Sequence, residues 1–192
     1  MIPGRLRILL TAGLTLSAIA CSDGGDSDSG SGSSVLGGAD EKTYPNGHPL
    51  SLQSSDPAVT GVEDDLLSLC NSYRVSNGLN ALIDDAGMRK VSRAHSKHQI
   101  VHDFFAHQNP EGDSAGERLT ACGQNWLAAG ENLAAGYAGA QDAFNGWLGS
   151  PGHKANLDNA LWTHTGTGYW NDPADGGNVI YSRYFTQAFK KN

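Results

Sequence analysis

The chain is short of basic residues, of cysteine and of long apolar runs. Lysine and arginine total 13 against 20 acids, a net charge of −7. A nucleic-acid surface needs a basic patch, and adhesion to anionic lipid needs one too, so neither partner is expected through charge. A bilayer-spanning helix needs about 20 apolar residues. The longest apolar stretch here, residues 8–20, has 13. There is no H-E-x-x-H motif and no Ser-His-Asp order, which removes two familiar hydrolase signatures. No internal repeat is visible. Hydrophobic content is 39%, and the shortfall lies at the N-terminus. Beyond it, about 130 residues remain, enough for one domain that buries roughly two-thirds of its unfolded surface.

The N-terminus reads as an export signal. Arg5 and Arg7 precede the apolar run, and residues 1–20 form the expected signal peptide. The run ends Ala18-Ile19-Ala20-Cys21, which resembles a bacterial lipobox, with Ala18 where Leu is usual. Diacylglyceryl attachment to Cys21 is therefore expected, the alternative being an ordinary signal peptide with an incidental cysteine. Cleavage before Cys21 removes two arginines and no acid, taking the net charge to −9. The anchor is then covalent lipid and not surface charge. Ser22, in place of Asp, points to the outer membrane where lipoproteins are sorted. Residues 22–34 contain only Gly, Ser and Asp, so nothing offsets chain entropy and a flexible tether results. Residues 35–61 form an irregular lead-in, which makes 21–61 the lipidated linker and 62–192 the domain.

Within the domain, apolar spacing predicts a helix over Glu63–Asn77, stopped by Gly78, and a second over Asp84–Phe105. Ser114 and Glu117 have capping-box spacing for a short helix over 113–122. A fourth helix is expected at 139–149. Ser150-Pro151 starts a fifth, with His153 in its first turn. From His164 the period becomes two. Residues 165–170 read as a strand whose glycines allow close backbone approach, residues 172–177 as a hairpin loop, and Val179–Phe189 as a long strand. Helices followed by a terminal hairpin give an α+β fold.

Residues 104–156 carry the chemistry. His107, Glu131 and His153 each stand beside an aromatic or chain-turning residue, and we expect them to share a cleft. Glu131 is expected to contact His107 and not His153, because the helix dipole at His153 opposes an imidazolium. His95, His98 and His102 lie near one helical stripe, with no carboxylate or cysteine to complete a metal set. Once Cys21 is assigned to lipid, Cys70 and Cys122 remain. In an exported chain a disulfide is the default, with two buried thiols as the alternative. Neither adjoins a histidine, which argues against a cysteine nucleophile.

Five blocks in order, LCNSYRVSNGLNALIDD, AHSKHQIVHDFFAH, GENLAAG, WLGSPGHKANL and THTGTG, with the final aromatic strand, resemble the CAP (SCP) superfamily from about Leu66 to Phe189. The resemblance implies a three-layer α-β-α sandwich with a small antiparallel sheet. It also implies a cleft of two histidines and two acids. His107, Glu131 and His153 match three of these, while Ser150 stands at the position of the second acid and His98 where many bacterial members have Asp. The family suggests a divalent cation in the cleft, zinc more than calcium for two imidazoles, or a lipid or protein ligand. Ser150 and Asn132 are expected at the cleft wall. The function expected is a monomeric, membrane-anchored binding module. The alternative is a metal-assisted hydrolase with Glu131 as base.

Overall fold

Asp56 starts the first helix earlier than the apolar pattern suggests. Its side chain accepts from the Ala58 amide at 2.8 Å, and Pro57 occupies the first helical position. The computed structural model describes residues 43–44 and 48–192. The signal peptide, Cys21 and the tether expected from the sequence lie outside them. Helix α1 spans Pro57–Ser76, followed by β1 (Ile83–Asp84), α2 (Ala86–Val101) and α3 (Ala115–Ala121). Then come β2 (Ala128–Ala135), α4 (Ala140–Leu148), α5 (Pro151–Leu157), β3 (His164–Asn171) and β4 (Arg183–Lys191). Among the described residues no helix is long and apolar enough to cross a membrane.

The sheet order is β1-β3-β4-β2. β3, β4 and β2 run antiparallel, and the two-residue β1 pairs parallel with β3. The sheet is therefore mixed, not purely antiparallel as expected. Helices cover both faces. On one, α1, α4 and α5 bury Leu66, Phe144, Trp147 and Leu157 against Tyr169, Phe185 and Phe189. On the other, α2 and α3 bury Met88, Val91 and Leu119 against Ala188. Successive β4 side chains alternate between the two faces, the period-two pattern of a strand. Gly166 and Gly168 let α2 lie directly on β3. A Cβ at Gly168 would stand 2.1 Å from the Arg93 nitrogen and 2.2 Å from the Ser92 carbonyl carbon.

The expected disulfide is not formed. Cys70 lies in α1, within the first core, and Cys122 caps α3 within the second. Both are buried thiols, and the sheet stands between their cores. Burial pushes the Cys70 thiol up, against a hydrogen bond with Gln187 and the Arg74 charge.

Three further expectations change. Residues 128–135 form a strand that the small and polar run AAGENLAA did not announce. Strand β4 begins at Arg183, because residues 178–182 are drawn into a loop. Asp103 there accepts from the Asn178 and Val179 amides, and Asp175 from the Tyr181 and Ser182 amides. The lead-in also belongs to the folded unit: Tyr44 and Leu50 are buried against α2 and α3.

Candidate functional site

His107 lies on the loop after α2, and Glu131 points from β2 toward the layer of α2 and α3. The two meet: His107 Nδ1 donates to Glu131 Oε1 at 2.9 Å. A carboxylate can only accept, so the contact fixes the proton on Nδ1 and leaves Nε2 with the lone pair in the neutral ring. The other carboxylate oxygen is also engaged. Arg118 Nη2 donates to Glu131 Oε2 at 2.5 Å, while its Nη1 donates to the carbonyls of His107 and Asp113, each at 2.9 Å. Arg118 is 1% exposed and Glu131 6%. One arginine thus ties α3, the histidine loop and β2 together around a buried carboxylate. The sequence reading missed it, since an arginine inside a seven-residue helix looks like any solvated one. The capping box that sets its helix, Ser114 with Glu117, is present as expected.

The electrostatics follow. Burial would raise the Glu131 carboxyl, but Arg118, His95 and His107 outweigh it and hold the group at about 2. His95 is held at about 3, chiefly by burial, so it is uncharged at neutral pH. Arg118 and His107 therefore carry the stabilisation there. A carboxylate held this low, with both oxygens hydrogen-bonded, is a poor proton acceptor.

His153 sits in the first turn of α5 and is held below the ordinary imidazole range by burial and by the His107 charge. Its ring makes no hydrogen bond to Glu131 or His107 in the structure. Ser150 precedes Pro151 as N-cap but caps through no side-chain bond. Asn132, expected at the cleft wall, is fully buried instead. Its Nδ2 donates to the His153 carbonyl at 3.2 Å, and its Oδ1 accepts from Asn156 Nδ2 at 3.0 Å. Asn156 also donates to the Glu131 carbonyl. Asn132 and Asn156 therefore moor α5 to β2 and set the height of His153.

The cleft beside His107 and Glu131 has a volume of about 430 Å³. Trp126, Ala129, Gly130 and Gly116 give it an apolar wall, and Gln108 and Ser114 a polar one. A second hollow of about 590 Å³, between α1 and the start of α4, contains no histidine and stands apart from this chemistry. Among the described residues, no group of three or more His, Cys, Asp or Glu is placed to hold a metal ion. With Glu131 engaged by His107 and Arg118, the expected triad offers two imidazoles, short of the three protein ligands of an open zinc site. The donor set does not fit the expected cation.

Comparison with known proteins agrees with the fold. Residues 67–189 match the model of the cysteine-rich secretory protein family, CAP. Two Bacillus subtilis proteins are similar. The uncharacterized protein YkwD is 32% identical over 116 residues, covering 60% of this chain and 45% of its own. The uncharacterized membrane protein YlbC is 33% identical over 132 residues, covering 69% and 35%. The chain thus spans less than half the length of either relative. Among solved structures, an extracellular SCP-domain protein from Bacillus anthracis superposes with a TM-score of 0.63 at 28% identity, covering 73% of this chain and 45% of that one. An outer surface protein of Borrelia burgdorferi gives 0.63 at 21% identity, covering 74% and 97%, a likeness of fold. The matched span is most of the folded unit, and this chain belongs to the cysteine-rich secretory protein (CAP) family.

Proposed function

We propose that this chain is an exported, lipid-anchored binding module. Its cleft takes the apolar part of a lipid or of a protein partner and does not turn it over. One observation carries the reading: Glu131 is saturated by Arg118 and His107. A hydrolase using Glu131 as base needs a carboxylate that accepts a proton near neutral pH, and this one is held at about 2. The cleft itself supports a ligand, because its volume is within the range of small-molecule sites and Trp126 supplies an apolar wall. Export is supported by the apolar run ending at Cys21, and by relatives whose descriptions are extracellular and outer-surface.

The test is a titration with a fluorescent fatty acid. Saturable binding that weakens at least about fivefold in Trp126→Ala is expected. No binding to wild type would remove lipid as the ligand. Casein turnover above a Glu131→Gln control would overturn the non-catalytic reading. A Cys21→Ala protein that stays on membranes after alkaline washing would refute the anchor.

A further inference from the structure

Apolar side chains stand exposed at both ends of the sheet. Where β3 begins, these are Ile83, Leu127 and Leu161. Where β3 ends, they include Phe105, Ile180 and Tyr181. The eight residues of β3, about 23 Å, separate the two ends.

The second set is fixed in place. Asp103, at φ 55°, accepts from the Asn178 and Val179 amides and from Asn178 Nδ2. Asp175 accepts from the Tyr181 and Ser182 amides, and Ser182 lies at φ 59°. Non-glycine residues at such angles are strained, and the surrounding bonds must offset the strain. The Phe105 ring lies 5.7 Å from Tyr181 and 6.1 Å from the buried Tyr184, between centroids. Ile180 is nevertheless 58% exposed and Tyr181 39%. Apolar side chains grouped on an ordered loop and turned to solvent mark a contact surface.

The occupant follows from where the chain joins the domain. Ser92 Oγ donates to the Gly166 carbonyl and Ser96 Oγ to the Gly168 carbonyl, so α2 runs alongside β3 in the same direction. The last turns of α2 therefore lie at the Tyr181 end. There Tyr44 stacks on His98 at 4.2 Å, and His98 meets Phe104 at 5.3 Å. Thr43 and Tyr44 thus join the domain at the end that carries the patch. Cys21 lies 22 positions before Thr43, a reach of at most about 75 Å. A lipid at Cys21 makes contact between patch and bilayer an intramolecular event, so a patch too small to hold a membrane alone suffices. Tyrosine suits the headgroup level, where an apolar ring and a polar tip are both accommodated. The net charge of −7 disfavours anionic lipid and leaves an uncharged surface as the fit.

We propose that Phe105, Ile180 and Tyr181 form the face on which the anchored domain rests against a zwitterionic phospholipid surface. The inference rests on Cys21 as the point of attachment. Phe105 is two residues before His107, whereas Trp126 precedes β2 at the opposite end of the sheet. This pose therefore turns the His107 end of the cleft toward the headgroups and the Trp126 end away from them.

The test supplies the anchor chemically, so it does not depend on lipidation in the cell. The mature chain, residues 21–192, is coupled through the Cys21 thiol to a maleimide lipid in a phosphatidylcholine nanodisc that carries a headgroup spin label. Cys70 and Cys122 are buried and do not compete in the folded protein. The amide signals of Phe105, Ile180 and Tyr181 are expected to broaden at least about fivefold more than those of Ile83, Leu127 and Leu161. With Ile180→Ser and Tyr181→Ser combined, the excess should fall below about twofold. Should that variant fail to fold, Ile180→Ser alone, at the more exposed position, should reduce the excess by about half. Greater broadening at the Leu161 end, or an excess that the variants keep, would overturn the proposal. Equal broadening at the two ends would also overturn it and give the patch to a protein partner. The Cys21→Ala membrane wash judges the anchor separately.

Discussion

Arg118→Met is the sharpest perturbation of the site. The variant leaves the Glu131 carboxylate buried with one of its two partners, and it takes a donor from the carbonyls of His107 and Asp113. Removing one partner of a buried ion pair typically costs about 3–5 kcal/mol, because the remaining charge is stranded. The lowered carboxyl points to a similar figure. A carboxyl lowered from 4.5 to about 2 contributes about 3 kcal/mol at neutral pH. For a domain of this size that lowers the melting temperature by roughly 10 °C. The pH dependence separates this cause from simple loss of packing. In wild type the Glu131 contribution is present above about pH 4.5 and is lost as pH falls toward 2. In the variant only His107 and His95 are left to oppose burial, so the carboxyl rises and acidification costs the variant less than wild type. The assay is urea unfolding of both proteins from pH 3 to pH 7, followed by tryptophan fluorescence. The stability difference should narrow steadily on the acid side. A difference under about 1 kcal/mol at pH 7, or one independent of pH, would refute the reasoning.

Two further outcomes follow from the packing. Gly168→Ala should cost about 3 kcal/mol or more, since its Cβ would strike α2 backbone and not a flexible side-chain tip; a loss below about 0.5 kcal/mol in urea unfolding would contradict that contact. Cys70 and Cys122 should both alkylate in denaturant without reductant, leaving an intact mass that reductant does not change; a two-dalton gain on reduction would show that they pair after all.

The helices were legible because their signals are local. Ser114 with Glu117 and Ser150-Pro151 each mark a start within a few residues. The glycines of THTGTG were legible for a similar reason, as a strand carrying two residues without side chains has to meet something close. Strand β2 was not. Its alanines, Gly130 and Asn132 have low strand propensity, and it forms because eight residues pair with β4. Within it, Gly130 reads as a chain break, yet it is a strand residue whose missing side chain makes room for Trp162, 2.8 Å from where a Cβ would stand. The disulfide failed as an expectation because counting cysteines ignores which side of a sheet each one faces. In the cleft, the His107–Glu131 contact could be argued from the opposing dipole at His153. Arg118 could not, because its partners come from three segments that only the fold brings together.

The central claim is that Glu131 is a permanently charged anchor of the cleft and not a proton acceptor. Carbon-13 titration of the Glu131 carboxyl in the folded protein tests it most directly. A midpoint at about 2, with no change between pH 5 and pH 8, is the predicted result. A midpoint at or above the ordinary carboxylate value of about 4.3 would contradict the account and return Glu131 to the role of a general base.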